Sequence, residues 1–231
     1  MSRCILLGYG EIGKAVKEFF GEYHEIEVND IKFHNNPTGK FDILLVAIPY
    51  ALDFVDTVIS WALEYSVRAV IIFSTVAVGT TRKIPNAVHS PVEGKHPSLA
   101  KSIEIMPRWV GGHQNMYVRE FFRHIETKYV KRPEITEAVK LLSTSLYGVN
   151  IEFARYAKEV LGEGYKYFTE FNMDYNSLYI QLGMPQYQRY ILYPPKGNIS
   201  GHCVTPNARI LDEQYPSPLL KEIYLDKEEI S

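Results

Sequence analysis

The chain has 231 residues, 46% of them hydrophobic, which is enough to bury a sizeable core in one large domain or two small ones and too much for a disordered protein. With 25 basic and 27 acidic residues its formal net charge is -2, which gives no global attraction to nucleic acid or to an acidic membrane surface. Two cysteines, Cys4 and Cys203, make no disulfide framework, so a reducing cytoplasm is the expected location.

The sequence opens almost directly on an apolar strand, without a signal-type leader, and has no apolar run near the ~18 residues that a membrane helix requires. The segment CILLGYGEIGKAVKEFF then reads as a strand, a glycine turn and a helix with Ile12, Ala15, Val16 and Phe19 on one face. HEIEVND follows as a short alternating strand ending in Asp30. FDILLVAIPY, at 41–50, is an unbroken apolar run suited to a central parallel strand covered on both faces. A helix over about 53–65 and the strand AVIIFST at 69–75 continue the alternation, and AVHSP and IMPRWVGG read as two more strands near the sheet edge.

After KRPEIT the pattern becomes helical, with Ile135, Val139, Leu142, Leu146, Val149, Phe153, Ala157 and Val160 at three- and four-residue steps. A helix over 135–160 would be about 39 Å long, more than is needed to cover a sheet. It is expected to start a second, helical domain and to carry a homodimer contact. The aromatic residues crowded between Gly162 and Tyr193 fit core or dimer packing better than base stacking, since no basic patch accompanies them. The tail YPSPLLKEIYLDKEEIS breaks at its prolines and ends in an amphipathic turn or two. The predicted architecture is therefore α/β, a Rossmann-like and mostly parallel sheet over 1–130, followed by a smaller helical domain over 131–231.

Gly8, Gly10 and Gly13 have the G-x-G-x-x-G spacing between a predicted strand and a predicted helix, and Asp30 closes the next strand 20 positions after Gly10. Gly8 permits the tight turn, Gly10 lets a pyrophosphate approach the backbone, and Gly13 lets the helix pack closely on its strand. Asp30 would accept hydrogen bonds from a ribose diol and repel a 2'-phosphate, which favours NAD over NADP. Tyr9, Glu11 and Ile12 within the turn, and Ile48, Pro49, Ser74 and Thr75 at the following strand ends, complete the expected cofactor site.

With this turn, the order STVAVGTT at 74–81, SPVEGK at 90–95, Lys140 in the long helix and GHCVTPNARIL from Gly201 resembles the UDP-glucose/GDP-mannose dehydrogenase family of the 6-phosphogluconate dehydrogenase-like superfamily. The likeness spans about 1–211. It implies that Cys203 is a nucleophile that adds to an aldehyde and passes through a thioester, with a thiol suited to that task. It further implies that Thr75 helps to hold a catalytic water, that Lys140 stabilises an alkoxide or oxyanion, and that Glu93 assists hydrolysis.

This sequence also departs from the family. Thr144 stands at the family asparagine and Asn207 at the family aspartate, so Asn207 cannot act as a base; Val92 takes the place of the glutamate after Ser-Pro unless a one-residue shift brings Glu93 there. Pro206 replaces the family lysine while Arg209 keeps its arginine. Nothing after 211 can form the second Rossmann-like domain, so the small-molecule substrate is smaller than a nucleotide sugar or a partner supplies the missing wall. His202 beside Cys203 points to the opposite side in an extended segment. His89, His96 and His113 lack a metal-ligand spacing and read as solvated or capping residues, so no metal is expected. Arg108 and Trp109 fit a sheet edge as well as a site. Three readings stay open: a dehydrogenase oxidising a primary alcohol to an acid through Cys203, a single-hydride dehydrogenase with Lys140 as acid or base, and a non-catalytic NAD-binding protein.

Overall fold

Strand β1 (Arg3–Leu7) is buried along Cys4–Leu7, as an apolar run with cover on both faces requires. Helix α1 (Glu11–Phe20), β2 (Glu25–Asn29), β3 (Ile43–Val46), α2 (Phe54–Glu64), β4 (Ala69–Ile72), a short 3-10 turn at Thr81–Lys83 and β5 (Ala87–His89) follow. Next come α3 (Leu99–Ile105), β6 (Arg108–Gly112), α4 (Met116–Phe121), β7 (Thr127–Val130) and the long α5 (Pro133–Leu161). Beyond it lie α6 (Tyr165–Gln181), α7 (Val204–Gln214) and α8 (Pro218–Tyr224). The computed structural model describes residues 1–32, 37–94, 97–195, 199 and 203–225.

The seven strands form one sheet in the order β2-β1-β3-β4-β5-β6-β7, parallel from β2 to β5, with β6 antiparallel to β5 and β7 parallel to β6. Alternate residues feed two cores. Cys4, Leu6, Ile43, Leu45 and Ile71 meet Val16 and Phe20 of α1 and Val118 and Phe121 of α4 on one face. Ile5, Leu7, Leu44, Val46, Val70 and Ile72 meet Phe54 and Val58 of α2 on the other. Asn115 caps α4 by accepting from the backbone N–H groups of Tyr117 and Val118. AVHSP and IMPRWVGG form strands, but β7, which the sequence reading did not anticipate, occupies that edge of the sheet, so Arg108 and Trp109 do not. Helices α3 and α4 are likewise additions to the reading.

The chain divides into two compact units, Met1–Lys140 and Leu141–Ser231, the division falling within α5. In the second unit Ile151, Ala154 and Ala157 on α5, Ala208 and Leu211 on α7, and Leu220 and Ile223 on α8 are buried. A Cβ on Gly148 would come 2.9 Å from side-chain atoms of Val204 and Ile223, so α7 and α8 close on α5 there because that position is glycine. Helix α5 leaves most of its apolar stripe exposed, Ala157 being buried and Val149 half-buried. Ile135, Val139, Leu142, Leu146, Phe153 and Val160 are all exposed, while Thr136, Glu137, Lys140, Leu141 and Ser145 are buried. Among the described residues no helix is long and apolar enough to cross a membrane.

His89 corrects the expectation of a solvated or capping histidine, for it is fully buried at the end of β5. Its Nε2 lies 3.1 Å from the Ser74 carbonyl, which can only accept, so Nε2 carries the proton, and Nδ1 lies 2.9 Å from Thr136 Oγ1, whose one hydroxyl proton it shares with the Pro133 carbonyl. Burial lowers its pKa from 6.5 to about 3, assisted by the positive charges of Arg108 and Lys140. The unfolded imidazole takes up a proton at higher pH than the folded one, so stability falls as pH drops through the window from 6.5 to about 3. The loss from this group between pH 7 and pH 5 is about 2 kcal/mol. Urea unfolding at the two pH values is expected to show that loss in the wild type, and a clearly smaller one in His89→Gln, which keeps an amide donor for Ser74 but cannot titrate. An unchanged pH dependence in the variant would assign the effect to other groups, of which the buried His24, its pKa also lowered by burial, is the first to consider.

Candidate functional site

In the first unit the strand order reverses beside β1: α1 carries the chain from β1 to β2 on one side, and β3 then pairs with β1 on the other. A crevice at the carboxyl ends of strands at such a reversal is where open α/β sheets take ligands. The glycine turn lies at this point. Gly8 has φ +92°, and a Cβ there would stand 2.6 Å from the Ala47 carbonyl oxygen and 2.9 Å from Ile48 Cγ2, so the turn fits against the end of β3 only as glycine. A Cβ on Gly13 would overlap the Gly8 carbonyl oxygen, the signature of a helix drawn tightly onto its strand. Gly10, by contrast, has no atom within 4 Å of a Cβ position and leads α1 without a side-chain cap. Space is thus left where the amino end of α1, with its partial positive charge, opens outward.

Asp30 is held against this turn. One carboxylate oxygen accepts from the Tyr9 N–H at 2.6 Å and the other from the Lys32 N–H at 2.9 Å. These bonds, the one from Lys32 foremost, lower its pKa, so it is an anion at neutral pH. Glu11 is exposed and Ile12 half-buried on the first turn of α1. Ile48 is half-buried and Pro49 exposed just beyond β3. Ser74 is buried, and its hydroxyl donates to the Ile48 carbonyl at 2.6 Å, tying the ends of β3 and β4 together. Thr75 follows it, half-buried.

Lys140 and Glu93, two of the proposed catalytic residues, come together. Lys140 Nζ donates to the Val92 carbonyl at 2.8 Å and to Glu93 Oε2 at 3.1 Å, and only 11% of the lysine side chain is exposed. Either register of the Ser-Pro-Val-Glu segment therefore places Lys140 against it. Three neighbouring residues were not singled out from sequence as parts of this frame. Glu137, fully buried, accepts from the backbone N–H groups of Gly79 at 2.6 Å and Thr81 at 2.7 Å, clamping the loop after β4. Thr136 meets His89, and Arg108 is buried against Ser90 and Pro91. A second, polar stripe on α5 at 136, 137 and 140 was the available signal.

In the second unit Cys203 is exposed and stands at the N-cap of α7, its carbonyl accepting from the Asn207 N–H. Asn207 is buried and its amide donates to Thr144 Oγ1 at 3.3 Å, so two of the positions that depart from the pattern the resemblance sets are partners. Cys4 differs sharply from Cys203: it is buried in β1, where desolvation pushes its thiol pKa far up. His96, Gly201 and His202 lie outside the described residues, as do 226–231. His113 is exposed. Among the described residues no group of three His, Cys, Asp or Glu side chains could hold a metal ion.

No protein-family model and no curated protein matches this sequence. Solved structures do match in fold. A UDP-D-ManNAc dehydrogenase from Pyrococcus horikoshii superposes with a TM-score of 0.72 at 18% identity, over 95% of this chain and 66% of that one. A UDP-glucose dehydrogenase from the hyperthermophilic archaeon Pyrobaculum islandicum gives 0.70 at 14% identity, over 96% and 67%. Mycobacterium tuberculosis 3-hydroxyisobutyrate dehydrogenase gives 0.68 at 13% identity, over 96% of this chain and 91% of that one. The chain thus spans about two thirds of the length of these nucleotide-sugar dehydrogenases, and nearly all of the hydroxyisobutyrate enzyme's. Its fold is the Rossmann-like, mostly parallel sheet with following helices that these dehydrogenases share.

Proposed function

We propose that this chain is an NAD-dependent oxidoreductase that oxidises a primary alcohol of a sugar-like substrate, continuing to the acid through a thioester on Cys203. The observation that carries the reading is the glycine turn: tight at Gly8 and Gly13, open at Gly10, and flanked by an Asp30 carboxylate held in place by the Tyr9 N–H. Gly10 and the amino end of α1 would receive the pyrophosphate, and Asp30 the ribose diol. NAD supplies a hydride acceptor when bound. Lys140, paired with Glu93, offers positive charge to an alkoxide or oxyanion. The Cys203 thiolate would add to the aldehyde carbonyl, the resulting thiohemiacetal would give up its hydride to a second NAD to leave a thioester, and water would then release the acid and return the thiol, a step for which Thr75 and Glu93 are the candidate aids.

The single-hydride reading is favoured by one observation. Asn207 is bonded to Thr144 and supplies no carboxylate near α7. Stoichiometry separates the two, since the thioester route yields two NADH per substrate and the shorter one yields a single NADH. For assembly, we assign the exposed stripe of α5 and the exposed aromatic residues of α6, Tyr167 and Phe171 among them, to a second copy of the chain.

Three experiments address these proposals. Calorimetric titration is expected to show NAD binding more tightly than NADP. Gly10→Ala should lose NAD affinity at unchanged melting temperature, because its Cβ meets only the space reserved for the ligand, while Gly13→Ala should lose stability as well. Equal affinity for both cofactors, or full affinity in Gly10→Ala, would reject the assigned site. Iodoacetamide should label Cys203 much faster than Cys4, with NAD slowing the reaction, and Cys203→Ser should stop acid formation while leaving NAD affinity nearly unchanged. Equal labelling, together with wild-type acid production in the serine variant, would remove the thioester. Light scattering at low concentration should give twice the 26.6 kDa chain mass, whereas a clean monomer refutes the dimer.

A further inference from the structure

Arg108 is a charged side chain enclosed by the core at the start of β6. Its Nη2 donates to the Ser90 carbonyl at 3.0 Å, to the Ser90 hydroxyl at 3.3 Å, and to the Pro91 carbonyl. Burial drives its pKa down to about 10, with Glu93 acting in the opposite direction, so it stays a cation at neutral pH. Its Nε is buried without a hydrogen-bond partner. An enclosed cation with a donor unsatisfied is a poor device for stability, since an apolar side chain of similar volume can fill such a place at no loss. Its bonds have a narrower effect. They seize the two residues that leave β5, immediately before the Val92 carbonyl and the Glu93 carboxylate that receive Lys140.

We propose that Arg108 is a positioning residue for the Lys140–Glu93 pair: by fixing Ser90 and Pro91, it aims the Val92 carbonyl and the Glu93 carboxylate at Lys140 Nζ. The functional meaning of this rests on the reading of Lys140 and Glu93 as part of the reacting site. The placement itself does not. Segment 90–93 lies beyond β5, anchored by the Ser90 N–H on the Ile72 carbonyl at 2.8 Å and by the buried Val92 side chain, and the guanidinium adds side-chain bonds to the Ser90 and Pro91 carbonyls between those anchors.

The test reads Lys140 directly. The full chain is labelled with a trace of acetic anhydride at neutral pH, and the modification of Lys140 is compared with that of the exposed Lys83 by peptide mass spectrometry. In Arg108→Met, Lys140 is expected to acylate about tenfold faster relative to Lys83, the scale of one lost charge-assisted hydrogen bond. Arg108→Lys, which keeps a charge and donors for Ser90 and Pro91, should restore most of the protection. A change that lowered stability alone would shift the melting temperature and leave this ratio where it was. If Arg108→Met does not fold, Arg108→Leu, which likewise removes every donor to Ser90 and Pro91, takes its place in the same comparison. A wild-type labelling ratio in a folded variant lacking the charge overturns the proposal. Turnover with NAD and primary alcohols is measured in parallel. Expected labelling with no turnover in any protein would reject the catalytic reading and keep the positioning role, and a fall in kcat at little-changed KM in Arg108→Met would support both.

Discussion

The first unit is organised around one constraint, that polar groups enclosed by a core must find partners. The opening turns of α5 bury Thr136, Glu137 and Lys140, and each takes its partners from a different segment at the carboxyl end of the sheet. Thr136 meets His89, which holds the Ser74 carbonyl after β4. Glu137 takes the Gly79 and Thr81 N–H groups, and Lys140 takes Val92 and Glu93 after β5. Breaking one such charged contact from one side costs several kcal/mol, because the remaining partner stays buried and unsatisfied. The loops that border the crevice are therefore not free to wander as surface loops do. Their positions follow from side chains on a helix more than forty residues away in sequence.

This also explains why α5 has its amphipathicity reversed relative to an ordinary surface helix. The face turned inward is polar at Thr136, Glu137 and Lys140, carries Leu141 and Ile151, and is small at Gly148, Ala154 and Ala157. The apolar stripe is left to face outward. A row of leucine, valine and phenylalanine exposed over successive turns is a surface that monomers avoid.

Residue types that encode backbone geometry were legible from the sequence. Gly8 needs its positive φ, Gly13 needs its missing Cβ, and both needs follow from spacing between a strand and a helix. The long apolar runs of β1, β3 and β4 and the period of α5 were legible for the same local reason. The short elements α3, α4 and β7, of 7, 6 and 4 residues, fall below the length at which periodicity speaks. His89 was misjudged and Arg108 left open between a sheet edge and a site, because their environments are set by long-range partners. A histidine after two apolar residues reads as a strand end whether it is solvated or enclosed, and an arginine between proline and tryptophan carries no local mark of the Ser90 carbonyl it will hold. The stripe on α5 was visible as a pattern, but which face the core would choose depends on the loops it meets.

Thr144 and Asn207 show how two departures can amount to a single physical change. Read separately, each replaces a residue that the resemblance assigns to chemistry. In the fold they bond to each other, amide to hydroxyl, between α5 and α7. Both members are neutral, so the contact between the helices keeps a hydrogen bond without burying a carboxylate, whose desolvation would need further donors. What the pair gives up is a group able to exchange a proton near neutral pH. Among the described residues proposed as catalytic, the charged ones are then Lys140 and Glu93, already bonded to each other. On the proposed reading, a proton leaving the substrate alcohol would go to one of that pair or to water, which would place acid–base work on the segment beside Arg108.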